Sequence, residues 1–489
     1  MLLRHTLLYL PAQFVAPLIQ FVSIIIWAHI LSPTDLGVVT LIMAVQELAF
    51  AAFFLWWSHY ALRFIAGFRD DEARGRFLGT EVIAIALSTV LQTLILLPVL
   101  HFYFAQAMTP ALLAVTTAFL VSRSLNNYMA ERARSEIRIA LYSIMQITGP
   151  LLGLLIGLGL IWSGQPGAIS IVAGFAIAQA GSMLFAFTMS DVGRRLPKLD
   201  RTIFGKAASF GIPVMLAYML ALVAANAPRF VVEHVRGLAA VGEFSVGFGL
   251  GLRASAFAVM MVTAGAYPLV VRRMEREGLA AAYEQLAKNI TLVAVVVVPV
   301  AFGLLAVNTA VVDLMVPEAY RAVTYLVLPC ATIGGLLRAL RAHTTDQVFL
   351  IRSRTGFTTL IAVIDLIFAV GLSYAGLMLY GVPGAAIGPM VSGAVTFTTS
   401  LLLARWMLDF QVPWRAFGAI VLAAAVMAGI VAALPSGHGY VGLGLRVAVG
   451  GAIYPALLAL LLPMARQMLF GMAGKLTDSL RRGRALPSR

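Results

Sequence analysis

Glu47, Arg253 and Asp365 stand deep inside runs of otherwise apolar residues. An ionisable group at mid-bilayer costs a few kcal/mol or more, so it faces a cavity or a partner and is a functional candidate. Arg253 lies among Gly247, Gly249 and Gly251, small residues that permit close helix approach or local bending. Its guanidinium fork matches phosphate oxygens, which makes it a candidate anion ligand; a buried pair with Glu47 or Asp365 is the structural alternative. Glu47 and Asp365 are candidates to carry a coupling proton or cation, or else static partners of arginines. Arg123 and Arg338, with Asn126, Asn127 and Arg341 close by in sequence, would form a basic mouth that attracts an anion. Ordinary arginines snorkelling to an interface would give the same pattern. Gln13 and Gln20, seven apart and on one helical face, suit either sugar hydroxyls or helix-to-helix hydrogen bonds.

The elements that must position these residues follow from composition. The chain has 489 residues, 61% of them hydrophobic and 11% charged, against about 25% charged in soluble domains. There are too few polar groups to make an aqueous surface, so the solvent for most of the chain is lipid. A helix needs about 20 apolar residues to cross roughly 30 Å of hydrocarbon. Such runs predict spans at 6–31, 36–58, 79–103, 109–128, 139–162, 167–190 and 208–230, then 239–267, 289–312, 321–345, 356–380, 384–407, 416–434 and 441–464. The expected fold is an all-α polytopic membrane protein with fourteen transmembrane helices. The first apolar run is too long for a signal-peptide core and reads as an uncleaved span. Cys330, the single cysteine, lies in an apolar run and is expected to be buried.

The net charge of +14 is a topology signal. With the N-terminus inside, every Lys and Arg except Arg229, Arg236, Arg253, Arg321 and Arg446 falls in or beside a cytoplasmic segment. Both termini are therefore expected in the cytoplasm, and nucleic acid is not expected as a partner.

Three loose similarities each pair one place in the chain with its counterpart six spans later. Leu36-Gly37-Val38-Val39-Thr40 matches Val241-Gly242-Glu243-Phe244-Ser245, and Arg123-Ser124-Leu125-Asn126 matches Arg338-Ala339-Leu340-Arg341. Gly164-Gln165-Pro166-Gly167-Ala168 matches Gly381-Val382-Pro383-Gly384-Ala385. Six is even, so the copies run in the same direction, as in parallel transporter repeats. The expected organisation is an N-terminal lobe at 1–195 (spans 1 to 6), a linker and C-terminal lobe at 196–408 (spans 7 to 12), and spans 13 and 14 with a basic cytoplasmic tail at 409–489. Two pseudo-symmetric six-helix lobes that rock around a midplane site are a transporter's architecture.

No phosphate-binding G-x-x-x-x-G-K-[ST], H-E-x-x-H or G-x-S-x-G occurs. No catalytic residue, metal site or cofactor is assigned, and the chain is not expected to be an enzyme.

Several segments carry a family resemblance: Ile30-Leu31-Ser32-Pro33-Thr34-Asp35-Leu36-Gly37, Phe210-Gly211-Ile212-Pro213, Asn226-Ala227-Pro228-Arg229-Phe230, Val241 to Ser245, and Gly381-Val382-Pro383-Gly384-Ala385-Ala386. In this order they resemble the Wzx-type oligosaccharide-lipid flippases of the multidrug/oligosaccharidyl-lipid/polysaccharide (MOP) exporter superfamily. The chain departs from that pattern at His29, where such sequences often have Arg, and at Pro228, where they often have Asp. The resemblance implies a bacterial inner-membrane flippase of undecaprenyl-pyrophosphate-linked oligosaccharide repeat units, working by alternating access for O-antigen, capsule or exopolysaccharide synthesis. It implies membrane lipid, H+ or Na+ as coupling ions, and a polysaccharide polymerase or assembly proteins as partners. Two alternatives stand beside it. One is a multidrug or small-molecule cation-coupled antiporter of the same superfamily, whose cavity would favour carboxylates. The other is a membrane-embedded polymerase or ligase, which the short outer loops disfavour.

Overall fold

In hydrocarbon each backbone N–H and C=O must bond within its own segment, so apolar runs of this length close into helices. The structure is a computed structural model that describes residues 2–68, 70–103, 109–165, 167–192, 196–263, 266–435 and 439–462. Arg69, Pro166, Arg194, Arg195 and the basic segment 463–489 lie outside the described residues, as do the side chains of 2–14, Arg4 and Gln13 among them. Among the described residues all regular structure is helical. In chain order come α1 (Leu2–Ile30), α2 (Pro33–Phe53), α3 (Leu55–Phe64), α4 (Asp71–Tyr103), α5 (Pro110–Ser135), α6 (Ile139–Trp162), α7 (Ala168–Met189) and α8 (Arg201–Thr263). α8 is two helical arms that meet at Gly237, whose φ of 79° an L side chain adopts only with strain. Then follow α9 (Ala266–Glu277), α10 (Leu279–Ala306), α11 (Asn308–Met315), α12 (Glu318–His343) and α13 (Thr345–Ile351). The last are α14 (Thr355–Tyr380), α15 (Ile387–Leu408), α16 (Trp414–Ala433) and α17 (Gly439–Leu461).

Among the described residues eleven helices are long and apolar enough to cross a membrane. Leu94, Phe102, Trp162 and Leu379 are 65%, 77%, 82% and 74% exposed, an apolar surface suited to lipid. The chain is a multi-pass membrane protein. Cys330 is half-buried, where the apolar run around it predicts burial, because a helical run puts only one face inward.

One compact unit comprises Met1–Arg253, Val316–Gly334 and Arg354–Thr396. Small residues let its helices approach. On α6, Gly149, Gly153 and Gly157 repeat every fourth residue and face α7: a Cβ on Gly153 would lie 2.6 Å from Phe175 Cδ1, and one on Gly157 3.3 Å from Ile171 Cα. The segment Ser32 to Gly37 is explained by packing. Ser32 caps α2 through Asp35 N at 3.1 Å, and Asp35 Oδ1 accepts from Ala168 N at 3.1 Å, so one carboxylate also ties down the start of α7. Gly37 meets Gly242, its counterpart in the sequence repeat: a Cβ on either would lie 3.2 or 3.1 Å from the backbone nitrogen of the other. The hydroxyl of Tyr320 on α12 donates to Leu31 O at 2.8 Å, closing the same end of α1.

The unit also holds a buried charge cluster. Arg132 of α5 bonds Glu81 of α4 at 2.7 Å, with side chains 1% and 0% exposed, and Tyr128 donates to the same carboxylate oxygen. Arg132 reaches Glu136 at 2.8 Å and Asp191 at 3.6 Å; Arg74 joins Glu136 and Asp191, each at 2.7 Å. Burial pushes the Asp191 carboxyl up, but the Arg74 hydrogen bond and the charges of Arg132 and Arg74 outweigh it and hold it below the ordinary aspartate value. The linker is strapped to α4 here, with Asp200 N donating to Thr80 Oγ1 at 3.0 Å.

The second compact unit comprises Ala254–Met315, Gly335–Ser353 and Phe397–Arg489. In it α10 packs on α16, which packs on α17. Tyrosine hydroxyls join the elements: Tyr454 to Val295 O at 2.9 Å, Tyr283 to Leu408 O at 2.8 Å.

The cluster around Glu81 generates a stability prediction. Removing one partner of a buried pair leaves an uncompensated charge, at a cost of about 3–5 kcal/mol. Glu81→Leu should fall near the lower end of that range, because Glu136 still faces Arg132. Adding Arg132→Met should recover most of the loss. Unfolding of the purified variants in detergent measures both, and a single variant as stable as the parent would contradict the assignment.

Candidate functional site

The first unit encloses a cavity of about 570 Å³. Each helix contributes residues at helical spacing. From α1 come Gln20, Ser23 and Trp27, from α2 Met43, Gln46, Glu47 and Phe50, and from α5 Arg123, Asn127, Glu131 and Arg134. Steps of three and four residues put each set on one face of its helix. His59 of α3, Phe175 of α7 and Tyr218 of the first arm of α8 face the same space, and Arg253 enters from the second arm.

Alternating glycines bring Arg253 there. A Cβ on Gly247 would lie 3.1 Å from Val327 Cβ, and one on Gly251 2.7 Å from Ala331 Cβ, so this face of α8 lies directly on α12. Gly249 points elsewhere, toward α1: its Cβ position is 2.8 Å from Ile24 Cδ1 and 3.4 Å from Arg253 Nη1. The end of the Ile24 side chain and the Arg253 guanidinium thus share the space beside Gly249.

The charges divide into a paired and an unpaired set. Glu131 bonds Arg134 at 2.7 Å, three residues along α5. By contrast, among the described residues neither Arg123 nor Arg253 lies within ion-pair distance of a carboxylate, and Arg253 Nη1 is buried without a hydrogen-bond partner. The carboxylate whose field reaches Arg123, Arg229 and Arg253 is Glu47. It is tethered elsewhere. Asn226 Nδ2 donates to Glu47 Oε2 at 3.3 Å, Arg229 Nη1 donates to Asn226 Oδ1 at 2.6 Å, and the Arg229 guanidinium sits 5.0 Å from the Phe248 ring centroid. Three arginines against one carboxylate leave the region cationic, with the guanidiniums of Arg123 and Arg253 uncommitted.

The structure thus brings Arg253, Arg123, Asn127, Gln20 and Glu47 into one cavity. The others lie elsewhere. Asn126 is one residue round α5 from Asn127 and donates to Gln179 Oε1 of α7 at 2.6 Å, a helix-to-helix bond. Asp365 of α14 is 2% exposed, is engaged in an interaction and is not among the lining residues. Arg338 and Arg341 belong to the second unit, where Arg341 pairs with Asp346 at 3.4 Å. Sequence reasoning missed Trp27, Gln46, His59, Glu131, Arg134 and Tyr218 as lining residues. For Glu131 and Arg134 a signal existed, since they continue the stripe of Arg123 and Asn127.

A multi-pass helical bundle around a polar cavity is the architecture of a membrane transporter. The family of polysaccharide biosynthesis proteins is matched over residues 26–324, and the chain belongs to it. The fold is shared with the lipid II flippase MurJ in an inward closed conformation, at a TM-score of 0.77 and 12% identity over 95% of this chain and 100% of that one. It is also shared with an inward-facing multidrug resistance MATE family transporter of the MOP superfamily, at a TM-score of 0.64 and 18% identity over 83% and 98% of the two chains. A MOP superfamily transporter from Pyrococcus furiosus, described as having a binding pocket of reversed polarity, matches at a TM-score of 0.61 and 17% identity over 82% and 94%. No curated protein matches the chain at a significant level.

The lack of a carboxylate partner makes Arg253 testable. Arg253→Ala strands no buried carboxylate, so the protein should accumulate in the membrane at the parent level while transport is lost. Arg253→Lys should restore part of the activity, since charge is kept and the bidentate fork is not. Collapse of protein level together with activity in Arg253→Ala would mark the residue as structural.

Proposed function

We propose that this protein is a flippase that carries undecaprenyl-pyrophosphate-linked oligosaccharide repeat units across a bacterial inner membrane by alternating access, for O-antigen, capsule or exopolysaccharide synthesis. The observation that carries the reading is the pair of uncommitted arginines, Arg123 and Arg253, in a cavity of a polysaccharide biosynthesis family member with a flippase and transporter fold. A guanidinium in a low-dielectric cavity favours an anion, and a lipid-linked sugar presents its anion at the pyrophosphate. In this reading Arg253 and Arg123 hold the pyrophosphate, Asn127 and Gln20 contact the headgroup, and Glu47 balances charge or carries the coupling H+ or Na+. Arg338, Arg341 and Asp365 act outside this cavity.

The same reading assigns fourteen spans. Dividing α8 at Gly237 adds one to the eleven apolar helices, and α1 and α5 bring the count to fourteen. α5 is less apolar than the other spans because it bears the polar cavity stripe. The mutual packing of Gly37 and Gly242 supports two lobes related by a pseudo-two-fold, at 1–195 and 196–408, followed by 409–489. Both termini are cytoplasmic in this arrangement, and a polysaccharide polymerase or assembly proteins receive the product. The antiporter alternative would be favoured by a cavity ruled by carboxylates, whereas here Glu131 is already neutralised by Arg134.

In a strain without a second flippase, loss of this protein should leave undecaprenyl-linked repeat units on the cytoplasmic leaflet, measured by their accessibility to a periplasmic glycan-modifying probe. Undiminished arrival in the periplasm would overturn the function.

A further inference from the structure

A second cavity of the first unit lies where α3, α4 and the first arm of α8 meet. It measures about 210 Å³ and is lined by apolar side chains and one serine, Ser88. Trp56 ties its walls together. The indole Nε1 donates to Phe53 O at 3.0 Å and to Ser88 Oγ at 3.4 Å, and its ring stands 5.3 Å from that of Phe204 at 68°. The polar side-chain atoms of the lining are thereby engaged, so an occupant meets apolar surface. From α8 come Phe204, Ala208, Ile212 and Met215, three or four residues apart and on one face. This stripe runs about 16 Å, half of the roughly 30 Å of hydrocarbon and so one leaflet deep. Leu87 and Leu91 of α4 and Ile212 are 41%, 41% and 42% exposed, so the groove opens outward, onto surface that meets lipid.

One end of the groove is basic. The Thr80 hydroxyl of α4 bonds Arg76 O at 2.8 Å, accepts from Asp200 N at 3.0 Å and lies 3.4 Å from Lys198 O. Arg76, Lys198 and Arg201 are thus gathered around one side chain, where both walls begin. Arg201 opens the α8 stripe three residues before Phe204, and Arg76 precedes Leu87 by eleven residues, three turns along the same face of α4. All three side chains are exposed, and among the described residues none lies within ion-pair distance of a carboxylate. The adjacent Asp200 spends Oδ1 on capping α8, accepting from Thr202 N and Ile203 N at 2.9 and 3.1 Å.

An apolar trough one leaflet deep with cations at its mouth has the polarity profile of a lipid with a charged headgroup. We propose that this groove binds an anionic phospholipid of the cytoplasmic leaflet, the side on which the arrangement above places these residues. An acyl chain lies between α4 and the first arm of α8, and Arg76, Lys198 and Arg201 hold the phosphate. Guanidiniums match phosphate oxygens, while the cation of a zwitterionic headgroup would be repelled. The site is separate from the transported substrate and goes beyond the flippase reading: the bound lipid clamps the linker and α8 to α4.

The test uses the full-length protein in detergent, titrated with phosphatidylglycerol, phosphatidylcholine and soluble glycerol phosphate, with bound lipid counted by native mass spectrometry. The parent should prefer phosphatidylglycerol, and the preference should fade with salt. Replacing Arg76, Lys198 and Arg201 singly by Gln should weaken phosphatidylglycerol about fivefold each, and together on the order of a hundredfold. Phosphatidylcholine binding should stay as in the parent. Ala208→Phe, which fills the groove, should weaken both lipids; Ile212→Gln, at an exposed lining position, serves the same purpose if Ala208→Phe fails to accumulate. A triple variant that keeps the parent preference would overturn the site, as would a filled groove that binds phosphatidylglycerol like the parent. Displacement of the lipid by equimolar glycerol phosphate would also overturn it, because the site would then bind a free anion.

Discussion

Taking an ion out of water is so costly that a membrane protein must either pair it or use it, and this chain does both with the same residue type. Arg132 is surrounded by acidic partners, with Glu81 and Glu136 at 2.7 and 2.8 Å and Asp191 beyond. Its charge is spent on joining α4, α5 and the segment after α7, in a setting of aromatic residues that includes Phe77 and Tyr128. Arg253 has no such partner among the described residues. A guanidinium left uncommitted beside a cavity keeps its full attraction for an incoming anion. The contrast between the two arginines is the electrostatic logic of the first unit.

Keeping Arg253 uncommitted requires keeping Glu47 away from it, and that is a matter of tethering. The chain Glu47, Asn226, Arg229 holds the carboxylate through hydrogen bonds of the Asn226 side-chain amide, and the Phe248 ring stabilises the cation at its far end. Glu47 still tempers the field of the arginines without forming a contact ion pair. A direct pair would have to be broken before an anion could bind, and buried pairs are expensive to break. The arrangement gives the cavity net positive character at low reorganisation cost.

Close backbone approach makes this geometry attainable. Gly247 and Gly251 seat the second arm of α8 on α12, and Gly249 opens the space in which α1 and the Arg253 guanidinium meet. Gly37 and Gly242 pack on each other near the start of α2 and of the second arm of α8. Small residues replace the hydrophobic driving force that lipid cannot supply between helices. The glycine-containing segments that resemble the flippase family therefore read as structural: they set distances, and the cavity side chains carry the chemistry.

The helical, membrane-spanning character of the chain was legible in its sequence, because hydropathy and the 3.6-residue period are local properties. So were Arg253 and Arg123 as cavity candidates, since a charge inside an apolar run is visible without any neighbour. The span at α5 was legible as well, although its polar stripe makes it less apolar than the other spans. What tertiary structure alone decided is which charges are paired. Glu81 and Arg132 are 51 residues apart, and Asn226 reaches Glu47 across 179. Trp27 and Gln46 gave no signal, because an apolar aromatic and a lone amide are ordinary in a helix. They line the cavity only once the helices have been brought together, because its neighbours decide which face of a helix turns inward.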